Sequence, residues 1–149
     1  MAPTRPTELH QRRLRLIREP TAAAEARNQV RAVIRAWKVP VDPDIAVLLT
    51  SDLVTHAIVH WDSATITLAV RCSSDQLRVD VYDASLPLPM AVDEQAITET
   101  RPGLALLASL ATEWGSFLTF TGKAMYFALA FQADWLRIED KKPSNEGET

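Results

Sequence analysis

Three stretches of this chain alternate apolar and other residues with a period of two: Thr65 to Arg71, Leu77 to Asp83, and Ala124 to Phe131. An extended strand with one covered face is what puts every second side chain on the same side. Ile66, Leu68 and Val70 therefore share a face, as do Leu77, Val79 and Val81, and Met125, Phe127, Leu129 and Phe131. Ser73-Ser74-Asp75 makes the first two strands a hairpin, and a shorter strand around Phe117 to Phe120 pairs with the last through Thr121-Gly122-Lys123. Leu14 and Leu16, set between Arg12, Arg13, Arg15 and Arg18, read as an edge strand whose arginines guard it against pairing with another chain.

Such a sheet needs a cover on its apolar face. From Thr21 to Lys38 the residues Ala26, Val30, Val33, Ile34 and Trp37 recur at spacings of three and four, which predicts a helix capped by Thr21. Asp42-Pro43 is a helix-start signature, because the carboxylate accepts free amides and proline fits the first turn, and the helix runs to about His60. A third helix, Gly103 to Thr112, is apolar almost all round, so it is expected to be buried and to stop near Gly115 through a left-handed cap. The fold expected is α+β, a two-layer sandwich of a mostly antiparallel sheet covered on one face by about three helices.

With 149 residues, 47% of them apolar, the chain can build one compact core but hardly two. The expected organisation is a disordered leader over residues 1–11, one domain over 12–133 and a charged tail over 134–149. The loop from Ala84 to Arg101, with Pro87 and Pro89, is long enough to read as a functional lid or a disordered segment. A net charge of -3 gives no bulk attraction to nucleic acid or anionic membrane, and the arginine-rich start lacks the interleaved aromatics of a nucleic-acid arm. Cys72 stands alone, which excludes an internal disulfide and suits a buried thiol. No apolar run approaches the roughly 18 residues of a membrane span, and the start is too polar for a secretory signal, so the expected location is the cytoplasm.

Chemistry concentrates on the second helix, where Asp52, His56 and His60 stand at successive steps of four, on a different stripe from Ile45, Leu49, Leu53 and Ala57. That stripe reads as a solvated face, as the wall of a site, or as a zinc set of two imidazoles and a carboxylate. Asp83 has the parity of Leu77, Val79 and Val81, so its carboxylate points to the covered side and needs partners. These are either the amides of the turn at Ala84-Ser85 or a ligand. Trp37, Trp61, Trp114 and Trp135 read as packing residues.

The ordered set of pieces resembles the GHKL superfamily of ATPases and kinases, and within it the small bacterial anti-sigma-factor serine kinases. The second helix carries Ser51-Asp52-Leu53-Val54-Thr55-His56-Ala57-Ile58-Val59-His60, where those proteins usually have Ser-Glu-Leu-Val-Thr-Asn-Ala-x-x-His. Val81-Tyr82-Asp83-Ala84-Ser85, Gly103-Leu104 with Leu106-Leu107, Trp114-Gly115, and Gly122-Lys123 with Tyr126-Phe127 follow in family order, over roughly Ala22 to Phe131. The resemblance implies a Bergerat-type ATP-binding fold. It assigns Asp83 to the adenine amino group, the loop from Ala84 to Arg101 to an ATP lid, Asp52 to the general base, and nucleotide-side positions to His56, Ser85, Arg101, Gly103 and Lys123. It also implies a protein partner, a sigma factor or its antagonist, with homodimerisation common in the family.

Three departures from the family pattern fall on the phosphate side. His56 replaces the magnesium-ligating Asn, and an imidazole nitrogen is a poor substitute for an amide oxygen, so magnesium-dependent binding is expected to be weak or lost. Arg101-Pro102-Gly103-Leu104 replaces Gly-Arg-Gly-Leu, and Pro102 has no amide proton to offer a phosphate. Asp52 is one methylene shorter than the usual Glu, which lowers its reach as a base. The expectation is a regulatory ATP-binding protein with impaired kinase turnover. The alternative is a module that has lost nucleotide and acts by protein association alone.

Overall fold

The computed structural model describes residues 8–83, 91–93, 105–119 and 122–132. Among them the elements follow as β1 (Glu8–Ile17), α1 (Thr21–Trp37), α2 (Pro43–His60), β2 (Thr65–Ser73), β3 (Gln76–Asp83), β4 (Ala91–Asp93), α3 (Ala105–Leu110), β5 (Glu113–Thr119) and β6 (Lys123–Ala130). The strands form one sheet in the order β1-β2-β3-β6-β5-β4, and every neighbouring pair is antiparallel. The fold is α+β, with the helices on one face of the sheet. No described helix is long and apolar enough to cross a membrane.

The alternation seen in the sequence sets which side of the sheet is covered. Ile66, Leu68, Val70, Leu77, Val79, Val81, Met125, Phe127 and Leu129 form one core with the inner residues of α1 and α2. Each large aliphatic side chain buried there contributes about 1.5–3 kcal/mol relative to exposure. The opposite face is built in rows that cross the strands, because directly paired residues share a face. One row runs Arg13, Ala69, Asp80, Tyr126, Gly115, with Gln11, Arg71, Arg78, Ala128, Glu113 on one side of it and Arg15, Thr67, Tyr82, Ala124, Phe117 on the other.

β1 is an edge strand, as its arginines suggest, but it begins at Glu8, within the stretch read as a leader. Its pairing with β2 reaches Ser73, and the His10 ring stacks on Trp37 of α1 at 4.9 Å, so tertiary contacts order a segment that has no apolar period. α1 starts at Thr21, but Thr21 is not its cap. The Glu19-Pro20 turn does that work: Ala22 and Ala23 donate their amides to the carbonyls of Glu19 and Pro20, and the Thr21 hydroxyl donates to the Glu19 carboxylate at 3.0 Å. The helix closes on Lys38 in the left-handed region, φ 56° and ψ 48°.

α2 has the predicted bounds, with Asp42 accepting the Asp44 amide at 2.9 Å and Pro43 in the first turn. It lies between α1, the sheet and α3, so it buries a wide face that includes Leu49, Leu53, Val54 and Ala57. Thr50 is buried there too, and donates its hydroxyl to the Ala46 carbonyl at 2.8 Å.

α3 departs from expectation. Only Leu107 of its residues is buried, while Leu106 and Leu110 are each 39% exposed. A short helix touching α2 and β5 by one edge cannot hide leucines that project from its other side. Gly115 is not a helix cap either: it lies in β5 opposite Tyr126, and the chain has turned into the sheet by Thr112, whose amide donates to the Ala128 carbonyl. Trp61 is buried and Trp37 and Trp114 pack against the core, while Trp135 lies outside the described residues. Cys72 is buried, and burial pushes its thiol pKa up.

Candidate functional site

Helical geometry divides the sides of α2. At 3.6 residues per turn, Ser51 and Asp52 lie about 100° apart. Ser51 faces α1, where Arg27 Nη1 donates to its Oγ at 3.1 Å. Asp52 and His56 lie on a neighbouring flank, and Ile45, two turns before Asp52, belongs to that flank rather than to the separate stripe of Leu49, Leu53 and Ala57 with which the spacing grouped it; Ile45 lines a shallow cavity of about 240 Å³ with Leu110 of α3 and Leu129 of β6. That flank is therefore turned toward α3.

Asp52 keeps one carboxylate oxygen, Oδ2, shielded from solvent without a hydrogen-bond partner. Desolvation by burial raises its pKa above the ordinary carboxylate value of 3.8. A carboxylate so placed is a stronger proton acceptor than an exposed one. His56 is half-buried and its ring lies 4.5 Å from that of His60, tilted by 40°. The step of four thus brings the two imidazoles together. Among the described residues, however, no three His, Cys, Asp or Glu side chains come together to hold a metal ion, so the zinc reading has no geometric support.

Asp83 is the last residue of β3 and lies opposite Ile66 of β2. Its carboxylate accepts from the Ser63 hydroxyl in the connection between α2 and β2. The same Ser63 Oγ also lies 2.8 Å from the Thr65 carbonyl, and its one proton serves one acceptor at a time. On the other side stands Gly122, where a Cβ atom would come within 3.2 Å of Asp83 Oδ2. Glycine at that position leaves room for the carboxylate.

Lys123 opens β6, is exposed, and has the parity of Met125 and Phe127, so it leaves the sheet on the helix-covered side next to Gly122. Ser85, Arg101 and Gly103 lie outside the described residues, as do the amides of Ala84-Ser85 that were the local alternative for Asp83. The structure thus anchors Asp83 to the connection that follows α2 through Ser63, and sets Asp52 and His56 along one flank of that helix.

Sequence reasoning missed Ser63 and the role of Gly122. Ser63 carries no motif, and it meets Asp83 only because the β2–β3 register brings the start of one strand to the end of the other. Gly122 was legible as a turn residue, not as the neighbour of a carboxylate.

Chemically, the arrangement offers a hydrogen-bond acceptor held from one side (Asp83), a desolvated base (Asp52) and a cation (Lys123) on one side of the sheet. The chain matches no protein-family model and no curated protein.

Proposed function

We propose that this chain is a regulatory ATP-binding protein of the kind it resembles, acting by association with a sigma factor or its antagonist in the cytoplasm. The observation that carries the reading is Asp83: a carboxylate at a strand end, oriented by Ser63 and given space by Gly122. A group so held suits recognition of an amino group on a flat base. In this reading Asp83 accepts the hydrogen bond from the adenine amino group, Lys123 offers its charge to the phosphates, and Asp52 takes the proton from an incoming serine hydroxyl. ATP, when bound, supplies the transferable phosphoryl group. The donors present do not suit magnesium, because the position that needs a hard oxygen carries His56, whose ring is packed against His60. Binding is therefore expected to be dominated by the base, with little dependence on magnesium and low turnover.

Thermal unfolding with ATP or ADP, with and without magnesium, tests this. A ligand at 100 times its dissociation constant stabilises by about 2.7 kcal/mol, which is a shift of several degrees for a domain of this size. Asp83→Asn should keep the Ser63 contact yet weaken binding, and an unchanged affinity would remove Asp83 from the site. The same His56 packing favours a second reading, a protein-binding module that needs no nucleotide. Absence of any shift at millimolar ATP would select it.

A further inference from the structure

The shallow cavity beside Ile45 lies where the chain leaves the sheet. Val41 and Asp42 from the turn before α2, Ile45 of α2, Leu110 of α3, and Leu129 and Ala130 at the end of β6 line it. The exit itself is fixed: the Ala130 amide donates to Thr112 Oγ1 and the Phe131 amide to the Asp75 carbonyl, both at 2.9 Å, and Phe131 packs against the core.

We propose that this cavity is the seat of the chain's own C-terminal segment, with the indole of Trp135 inside it. Reach is the first reason. Trp135 stands five residues beyond Ala130, so at most about 18 Å of extended chain separates it from a residue that lines the cavity. A tether that short holds the ring at an effective concentration on the order of millimolar.

Composition is the second reason. Over residues 133–149 the large apolar side chains are Trp135, Leu136 and Ile138, and none follows them. Trp37, Trp61 and Trp114 each pack in the core or against it, and the cavity offers Trp135 the same kind of place. Chemistry is the third. The lining is apolar except for Asp42, which accepts the Asp44 amide through Oδ1 and has Oδ2 to offer. An indole has the matching form, an apolar body with one N–H that needs an acceptor when it is buried.

Other occupants fit less well. At about 240 Å³ the cavity falls below the roughly 300 Å³ at which small-molecule pockets begin. A side chain from a second copy or another protein would have to displace one already tethered at the rim. Seated there, Trp135 would cover Leu110 and tie α3, whose one buried residue is Leu107, to the flank of α2 that carries Asp52. The inference goes beyond the nucleotide reading and needs no nucleotide, so its failure and the failure of ATP binding are separate results.

The test is fluorine NMR of the full chain labelled with 5-fluorotryptophan, which gives one resonance for each of the four tryptophans. Trp135→Phe identifies the resonance of Trp135. In the unaltered chain that resonance should lie away from its position in urea, and its response to replacing water by deuterium oxide should be less than half of the response in urea. Leu110→Glu and Ala130→Glu place a charge in the cavity, and each should return the Trp135 resonance to its position in urea. Val59→Glu, on a residue of α2 that is 66% exposed and does not line the cavity, should leave it in place. The Trp61 resonance checks that each variant is folded, and Ala130 is exposed, so its replacement spares the core. A Trp135 resonance at its urea position in the unaltered chain would overturn the proposal, and so would one that neither cavity variant moves. A displaced resonance that reverts on dilution would overturn it as well, because the seat would then be filled by a second copy.

Discussion

Asp52 is held where its ionised form is penalised. Its folded pKa is raised by burial, and one oxygen has no partner. The native state therefore holds the proton more tightly than the unfolded chain. The stability this group contributes is complete below about pH 3.8 and is lost as pH rises through the higher folded value. Asp52→Asn cannot ionise, so its melting temperature should exceed that of the unaltered protein at neutral pH, with the advantage fading toward pH 3.8. A difference that stays flat across a pH series of melts would show that burial of the charge is not what the site bears. If Asp52 is also the base, the same variant should lose phosphoryl transfer. At this scale the side to which Asp83 points was legible, because strand parity is local. Its partner was not, because Ser63 reaches it through a register that no short stretch of sequence encodes.

Among the elements, α1 and α2 show where local chemistry is enough. Asp42-Pro43 contains both the acceptor and the ring that a helix start needs, and α2 begins there. Thr21 has the residue type of a cap but not the place, since the Glu19-Pro20 carbonyls already occupy the first amides. β5 begins before the stretch expected for it, because Gly115 and Ser116 interrupt the apolar alternation while the backbone pairing with β6 continues. The exit from α1 offers a prediction. Lys38 sits in the left-handed region, which costs a residue with a Cβ about 1 kcal/mol. Lys38→Gly should stabilise by about 0.5–1 kcal/mol, seen as a higher urea midpoint with an unchanged slope. A lower midpoint would mean that the lysine side chain, rather than its backbone, holds this end of the helix.

For the whole molecule, the two faces of the sheet follow different rules. The helix-covered face was readable from periodicity alone. On the other face Arg78, Asp80 and Tyr82 have the pattern of solvent-facing residues, yet Asp80 is fully buried under side chains from β2, β3 and β6. Such burial depends on which residues stand opposite, and Arg71 stands directly opposite Arg78. Asp80 separates two like charges that would otherwise repel. Asp80→Ala should cost roughly 2–4 kcal/mol, below the range for a fully buried pair because both arginines are partly exposed. Denaturant titration measures it, and a loss within error of zero would mean that the arginines are solvated independently.

The contact between Asp83 and Gly122 has a consequence for how this chain can change. Asp83 ends β3 and Gly122 precedes β6, its neighbour in the sheet, so β4, α3 and β5 belong to a single chain segment whose two ends meet, and β5 and β4 extend the sheet beyond β6. The block of β1, β2, β3 and β6 under α1 and α2 keeps its own register on either side of that meeting point. Loop closure depends only logarithmically on length, about 0.6 kcal/mol for each doubling. Changes of length in this segment that keep β5 paired with β6 and Leu107 in the core are thus cheap for the block, which makes this the stretch where new specificities can be grafted without redesigning the scaffold.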